Sequence, residues 1–250
     1  MKKEVRPDDG YRASFSSEDD RLRAEIAVLR RFVTDRRWER MLSVLRERTR
    51  FVTVAVEDIY QPHNASAVLR SCDAFGIQDV HIIENRNRYT VNPGVELGTS
   101  QWLTMNRYRR EDSDPPTAAT ERCIAALRSA GYRIVATSPH RDDVTPAEIS
   151  LRQGPIALLF GTEKEGLTET ALSSADEYLR IPMVGFVESL NISVSAAVTL
   201  QILTARLRIE EEDAPVWAIS DDHRDRILLR WLYQSVRHSK GIIHRELGAG

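Results

Sequence analysis

The chain has 250 residues, 42% of them hydrophobic, and a formal net charge of −2. This length suits one main domain with terminal additions rather than two equal domains, and the near-neutral balance excludes a uniformly basic coat. No apolar run reaches the roughly 18 residues of a bilayer crossing, and the amino terminus MKKEVRPDDGYRASFSSEDD lacks the apolar centre of a secretory signal, so a cytoplasmic location with no membrane partner is expected.

Residues 1–17 are polar and turn-rich and are expected to be mobile. A helix is predicted from Ser17, which can cap it, with Glu18, Asp19 and Asp20 at its positive end and Leu22, Ile26 and Leu29 at helical spacing. A second helix is predicted from near Thr34 to about Arg48. The rhythm then changes to short β-branched runs at 51–56, 80–83, 134–136, 156–160 and 178–181, which read as buried strands. The stretches 64–75, 117–130 and 189–208 between and after them carry apolar residues at helical spacing. The class is α/β, a mostly parallel sheet with helices on both faces. Residues 85–98 read as a loop after a strand, and 111–116 as a second turn-rich stretch. A helix from about Asp221 places Leu228, Trp231, Leu232 and Val236 on one side. The expected division is a helical extension over 1–50, a central domain over 51–210 and a basic helical tail over 211–250.

The two cysteines, Cys72 and Cys123, each fall inside a predicted helix and read as buried thiols. The six histidines are scattered, with no metal-ligand spacing, so no metal is expected. Positive charge is clustered at Arg107, Arg109 and Arg110, at Arg206 and Arg208, and at Arg224, Arg226, Arg230, Arg237, Lys240 and Arg245. These clusters fit either solvated helix faces or contact with a polyanion.

Three segments could carry chemistry. In QPHNASAVLR, Asn64 is suited to cap a helix and Arg70 projects nearly two turns further on, at a strand end where open α/β sheets place ligands. In FGTEKEGLT, Gly161 and Gly166 shape a turn after an apolar strand; Leu167 and Thr168 stand where a phosphate-binding P-loop needs Lys and Ser or Thr, which argues against a nucleotide-hydrolysing enzyme. In IPMVGFVESLNISVSAAV, Pro182 ends a strand, Gly185 permits a turn, and Ser189 and Asn191 open a helix rich in small residues.

Together and in this order, the three segments resemble the three motifs of the SpoU or TrmH family, in the SPOUT class of RNA methyltransferases. The resemblance covers about 51–208. Asn64 and Arg70 match the first motif, Gly161, Glu163 and Gly166 the second, and Ser189, Leu190 and Asn191 the third. It implies a deep trefoil knot at about 156–208, a departure from the usual avoidance of threading. It further implies S-adenosyl-L-methionine as methyl donor, bound at Thr137, Gly161, Ile181, Met183, Ser189 and Leu190, and a homodimer whose site is completed across the subunit interface. QPHNASAVLR, FGIQDVHII and the basic tail are most similar to the members that methylate the ribose of a D-loop guanosine in tRNA.

By this resemblance the catalytic residues are Arg70, Asn64, Glu163 and Asn191, with Arg206, Arg208, Arg230, Arg237 and Lys240 as RNA-contact candidates. Because a guanidinium keeps its proton near neutrality, Arg70 is expected to grip a phosphate and stabilise developing oxyanion charge. The alternatives are the same chemistry on ribosomal RNA, and an RNA-binding protein of this fold without activity.

Overall fold

A computed structural model describes residues 17–90, 92, 94, 97–138, 144–210 and 217–248. All but Ser17 of the segment 1–17, expected to be mobile, and part of the predicted loop 85–98 therefore lie outside the described residues. The chain divides into two compact units, Met1–Arg46 with Ile219–Gly250, and Glu47–Ala218. The two extensions, read as separate segments, thus fall in one unit.

In the first unit, α1 (Glu18–Arg30), α2 (Asp35–Arg46), α7 (Asp221–Ser235) and α8 (Ser239–Leu247) pack together. Ser17 caps α1 as expected, its Oγ accepting from the Asp20 N–H at 3.1 Å. The apolar stripes of short helices need one another to leave water. Leu29, Met41 and Leu45 from the front of the chain are buried, as are Leu228, Trp231, Leu232 and Ile243 from its end. Arg31 to Glu246 at 2.6 Å and Tyr233 to Glu25 at 2.7 Å tie the two halves.

The second unit is built on a six-stranded parallel sheet in the order β3-β2-β1-β5-β4-β6. Its strands are β1 (Val52–Glu57), β2 (Asp79–Glu84), β3 (Thr104–Arg109), β4 (Arg133–Thr137), β5 (Ile156–Phe160) and β6 (Glu177–Leu179). β1, β2 and β5 are buried throughout. Along β1 and β5, Val52, Val54, Val56, Ile156, Leu158 and Phe160 enter the core shared with α3 (Pro62–Ala74) and α6 (Ile192–Glu210). Ala55, Ala157 and Leu159 enter the opposite core with α4 (Ala118–Ser129) and α5 (Glu169–Ser173). Both faces are covered, as a parallel sheet requires. Cys72 and Cys123 are buried, one in each core.

Three readings are corrected. β3 was not among the expected strands: it is an edge strand whose residues are only half-buried or exposed, so TMNRYR has no apolar run. Asn64 is not the cap of α3, which begins at Pro62 with Gln61 as the N-cap; Pro at the first position needs no hydrogen bond there. And α6 is by length and composition apolar enough to span a bilayer. Its Ile192, Ala196, Leu200, Leu203 and Leu207, at spacings of three and four, pack into the sheet core.

Buried carboxylates join the elements near the ends of the central strands. Glu57, at the end of β1, accepts from the Thr168 N–H at 2.7 Å, from the Thr168 hydroxyl at 2.9 Å and from the Thr120 hydroxyl. Asp58 follows with φ +53°, and its Oδ1 accepts from the N–H groups of Asn85 and Arg86 at 2.8 Å and of Asn87 at 3.3 Å. These bonds offset the cost of burying Glu57 and one oxygen of Asp58, while Asp58 Oδ2 has no hydrogen-bond partner among the described residues and lies 3.6 Å from Arg86 Nε.

Candidate active site

The three sequence motifs meet at the C-terminal ends of β1 and β5, the side of an open parallel sheet where ligands are held. The strand order places β1 beside β5, so the turn into α3 and the turn after Phe160 become neighbours. Asn64, on the first turn of α3, is buried and faces inward. Its Nδ2 donates to the Gln61 Oε1 at 3.2 Å and to the Glu163 Oε1. Asn191 Nδ2 donates to Glu163 Oε1 at 2.8 Å and to Asn64 Oδ1 at 3.1 Å. One carboxylate oxygen therefore collects both carboxamides.

Asn191 is also the cap of α6. Its Oδ1 accepts from the Ser193 N–H at 2.8 Å and the Ser193 hydroxyl at 2.6 Å, so its amide group is oriented and its NH2 directed at Glu163. Helix-start and site functions coincide in this side chain.

Glu163 is presented by a tight turn in which Thr162 and Gly166 exchange N–H to O bonds of 2.9 Å. Gly166 has φ +70°, a conformation that glycine adopts without strain. Gly161 needs its missing side chain more acutely, because a Cβ there would stand 2.1 Å from the Gly166 carbonyl carbon and 2.3 Å from the Leu167 nitrogen. The turn closes on itself only with glycine at 161.

Two cavities flank this cluster. One, of about 370 Å³, is lined by all six residues expected around the methyl donor: Thr137, Gly161, Ile181, Met183, Ser189 and Leu190. Leu167, Leu179, Ile192 and the hydroxyl residues Ser138, Ser195 and Thr199 complete much of its wall. The Thr199 Oγ1 is buried with no hydrogen-bond partner among the described residues, the polar defect that a ligand group satisfies. The other cavity, of about 390 Å³, is lined by Asn64 together with Tyr60, Gln61, Arg86 and Asn87. Gly161 to Glu165 and Ile192 border both.

Arg70 does not join the cluster. It lies six residues beyond Asn64 on α3, a rotation of roughly 240°, is exposed, and lines neither of these cavities. Arg206 and Arg208 have partners inside the fold. Arg206 donates to the carbonyls of Pro146 and Ile149 at 2.9 Å and to Glu210 at 2.8 Å. Arg208 donates to the carbonyls of Thr204 and Glu47 at 3.0 Å and lies 5.3 Å from the Trp217 ring centre. Arg109 and Arg110, from the first basic cluster, bond Glu84 and the Asn85 carbonyl. Arg230 is half-buried in the first unit, where Arg237 and Lys240 are exposed. Sequence reasoning missed Tyr60, Arg86, Asn87, Lys164 and Thr199. Only Thr199 carried a local sign, a hydroxyl on the apolar side of a core helix.

Residues 51–201 match the family described as the SpoU rRNA Methylase family, and the chain belongs to that family. It is 37% identical over 220 residues to the tRNA (guanosine(18)-2'-O)-methyltransferase of Borreliella burgdorferi, a match covering 88% of this chain and 95% of that protein. To the tRNA (guanosine(18)-2'-O)-methyltransferase of Thermus thermophilus it is 34% identical over 200 residues, covering 80% and 97%. The crystal structure of the A. aeolicus TrmH/SpoU tRNA modifying enzyme aligns with a TM-score of 0.68 at 25% identity, over 81% of this chain and 98% of that one.

Proposed function

We propose that this protein methylates the ribose 2′-hydroxyl of guanosine 18, in the D-loop of tRNA, using S-adenosylmethionine. The observation that carries the proposal is the convergence of Asn64, Glu163 and Asn191 on the wall between two cavities, one of which has the lining expected for the donor. Support for the acceptor comes from the relatives, 37% and 34% identical over 88% and 80% of this chain, whose names give guanosine 18 of tRNA as the methylated nucleotide.

The larger set of cavity-lining residues fits this donor. Its volume lies in the range of about 300–1,000 Å³ usual for small-molecule sites. Apolar side chains offer faces to an adenine ring, while Thr137, Ser138, Ser189 and the unpartnered Thr199 hydroxyl offer bonds to polar edges. When bound, S-adenosylmethionine supplies an electrophilic methyl on a sulfonium.

The chain's own task is alignment of the attacking oxygen. Asn64 and Asn191, held by Glu163, present amide groups whose orientation is set by their bonds to one another. Arg70 grips the phosphate beside the ribose, and its guanidinium stabilises the oxyanion that develops there. Three acceptors for the hydroxyl proton fit this arrangement: the Glu163 carboxylate, the substrate phosphate and water.

Because Arg70 is exposed and lines neither cavity of its own chain, the proposal includes a homodimer in which Arg70 serves the site of its partner. It also includes the trefoil knot. Support for threading is the position of Val144, in the connection from β4 to β5, which bridges Leu179 of β6 while β4 pairs with Leu179 through Thr137. That connection thus leaves β4 on one side of β6 and has reached the other side of β6 at Val144, and Arg206 of α6 holds it through Pro146 and Ile149. Exposed Arg237 and Lys240 are proposed phosphate contacts, and the site of action is the cytoplasm, with its tRNA.

The test is incubation with labelled S-adenosylmethionine and unmodified total RNA, followed by mapping of the label. Label at guanosine 18 of tRNA is expected, and none on a transcript with that guanosine replaced by 2′-deoxyguanosine. No label in any RNA would overturn the enzyme reading; label in ribosomal RNA alone would overturn the tRNA assignment.

A further inference from the structure

The cavity on the Asn64 side shares the Gly161 to Glu165 wall with the proposed donor cavity but is not lined by Thr137, Ile181, Met183, Ser189 or Leu190, the other residues expected around the donor. Its rim carries Tyr60, a residue 76% exposed although the one before it, Ile59, is only 6% exposed and belongs to the core. Among the described residues none bonds the Tyr60 hydroxyl. Folding alone gives no reason to leave this ring in water, since burial of apolar area is the main favourable term.

The ring is nonetheless held on a stiff piece of backbone. Asp58 turns the chain with φ +53° and is tied through its carboxylate to three successive N–H groups, Asn85 to Asn87. Ile59 is anchored in the core, and Pro62 opens α3 two residues after Tyr60. An aromatic side chain displayed on rigid backbone loses little freedom on binding, which suits it to stacking on a flat ligand. The rest of the lining suits a nucleotide: Gln61 and Asn87 carry carboxamides, Arg86 and Lys164 carry positive charge for phosphate, and Asn64 is bonded to Glu163 of the wall shared with the donor cavity. Arg86 is paired with Glu165 at 2.7 Å, which ties the loop after β2 to the Glu163 turn at this cavity.

We propose that this cavity receives the acceptor guanosine, unstacked from its RNA, with its base lying on the Tyr60 ring. This assignment rests on the methyl-transfer reading above. RNA bases are commonly recognised in this way, splayed out and stacked on an aromatic side chain. The base would then lie on the Asn64 side of the wall formed by Gly161 to Glu165, with the donor on the other.

The test combines kinetics with crosslinking. Tyr60→Ala lowers kcat/KM for tRNA roughly 10- to 100-fold, whereas Tyr60→Phe and Tyr60→Trp stay within about threefold of wild type, because stacking needs the ring and not the hydroxyl. Donor affinity, measured by calorimetry without RNA, is unchanged in Tyr60→Ala. A tRNA carrying photoreactive 6-thioguanosine at the target position crosslinks to the Tyr60 peptide of the wild-type protein. The inference is overturned if Tyr60→Ala keeps wild-type kcat/KM, if the crosslinks fall only on other peptides, or if the substitution acts by changing the sedimentation coefficient, which would make Tyr60 a contact between copies. Failure of the wild-type protein to methylate any RNA would sink the methyl-transfer reading instead, and the crosslink position would still decide whether this cavity takes the base.

Discussion

The side-chain amide of Asn191 donates a 3.1 Å hydrogen bond to the Oδ1 of Asn64 across 127 residues of chain. The two carboxamides share Glu163 Oε1 as acceptor, so each residue orients the other two. The cluster is a unit, and removing one member loosens the rest.

Asn64→Ala and Asn191→Ala should each lower kcat by about 100-fold, the scale for losing one group that orients or polarises the reacting centre. The double substitution should cost little more than either alone. Initial rates at saturating donor and tRNA measure this, and fully additive losses would show that the two amides act independently.

Glu163→Gln keeps a carbonyl oxygen that can accept both amides, whereas Glu163→Ala removes it. The Gln variant is expected within about 10-fold of wild-type turnover and the Ala variant well below it. A collapse of the Gln variant to the Ala level would instead make the Glu163 carboxylate the proton acceptor.

Arg70→Ala should lose about 100-fold or more in turnover while donor affinity survives, because Arg70 lines neither cavity of its own chain. Arg70→Lys should recover little, since an ammonium cannot form the paired contact of a guanidinium. Mixed dimers of Arg70→Ala and Asn191→Ala chains should regain activity if Arg70 serves the partner's site, and should remain inactive if it serves its own.

Gly161→Ala forces a methyl group to within 2.1 Å of the Gly166 backbone, so the turn that presents Glu163 must open. A stability loss of about 1–3 kcal/mol is expected in urea unfolding, with donor binding lost in calorimetry. Unaltered donor affinity would mean the turn can shift without deforming the cavity.

Stability should depend on pH through His81. Its ring is buried beside Tyr108, with Nδ1 3.1 Å from the tyrosine oxygen, and burial lowers its pKa to about 4 against an ordinary 6.5; the Asp79 carboxylate opposes this and the Arg50 guanidinium adds to it. The unfolded chain therefore binds the proton more readily. Stability from this group is complete above 6.5 and declines as pH falls towards 4, by about 2 kcal/mol between pH 7 and pH 5. His81→Phe should flatten that slope in urea titrations at the two pH values.

Much of the fold was legible because its elements advertise themselves locally. The buried strands β1, β2 and β5 are apolar or β-branched runs, and Ser17 with three acidic residues marks the start of α1. β3 was illegible because an edge strand with half-exposed residues has neither an apolar run nor a clean alternation. Asn64 was misread as a cap because a carboxamide near a helix start suits both capping and site chemistry; Pro62 at the first position was the better local sign.

The terminal extensions show the same limit at larger scale. Leu228, Trp231 and Leu232 announce a helix with a buried side, but not that its cover includes α1 and α2 from the other end of the chain. Arg206 and Arg208 likewise announce charge, while their partners are carbonyls and carboxylates brought near by folding.

By itself, the sequence determined the class of fold, the chemistry of the motif residues and the turns that glycine permits, because these depend on residue type and on neighbours within a few positions. Tertiary structure alone decided that Asn64 bonds Asn191, that both turn to one oxygen of Glu163 and that Arg70 lines neither adjoining cavity. Those contacts follow from β5 lying beside β1 and from the helical rotation of α3. Strand order and burial are set by the whole chain at once, so no local stretch carries them.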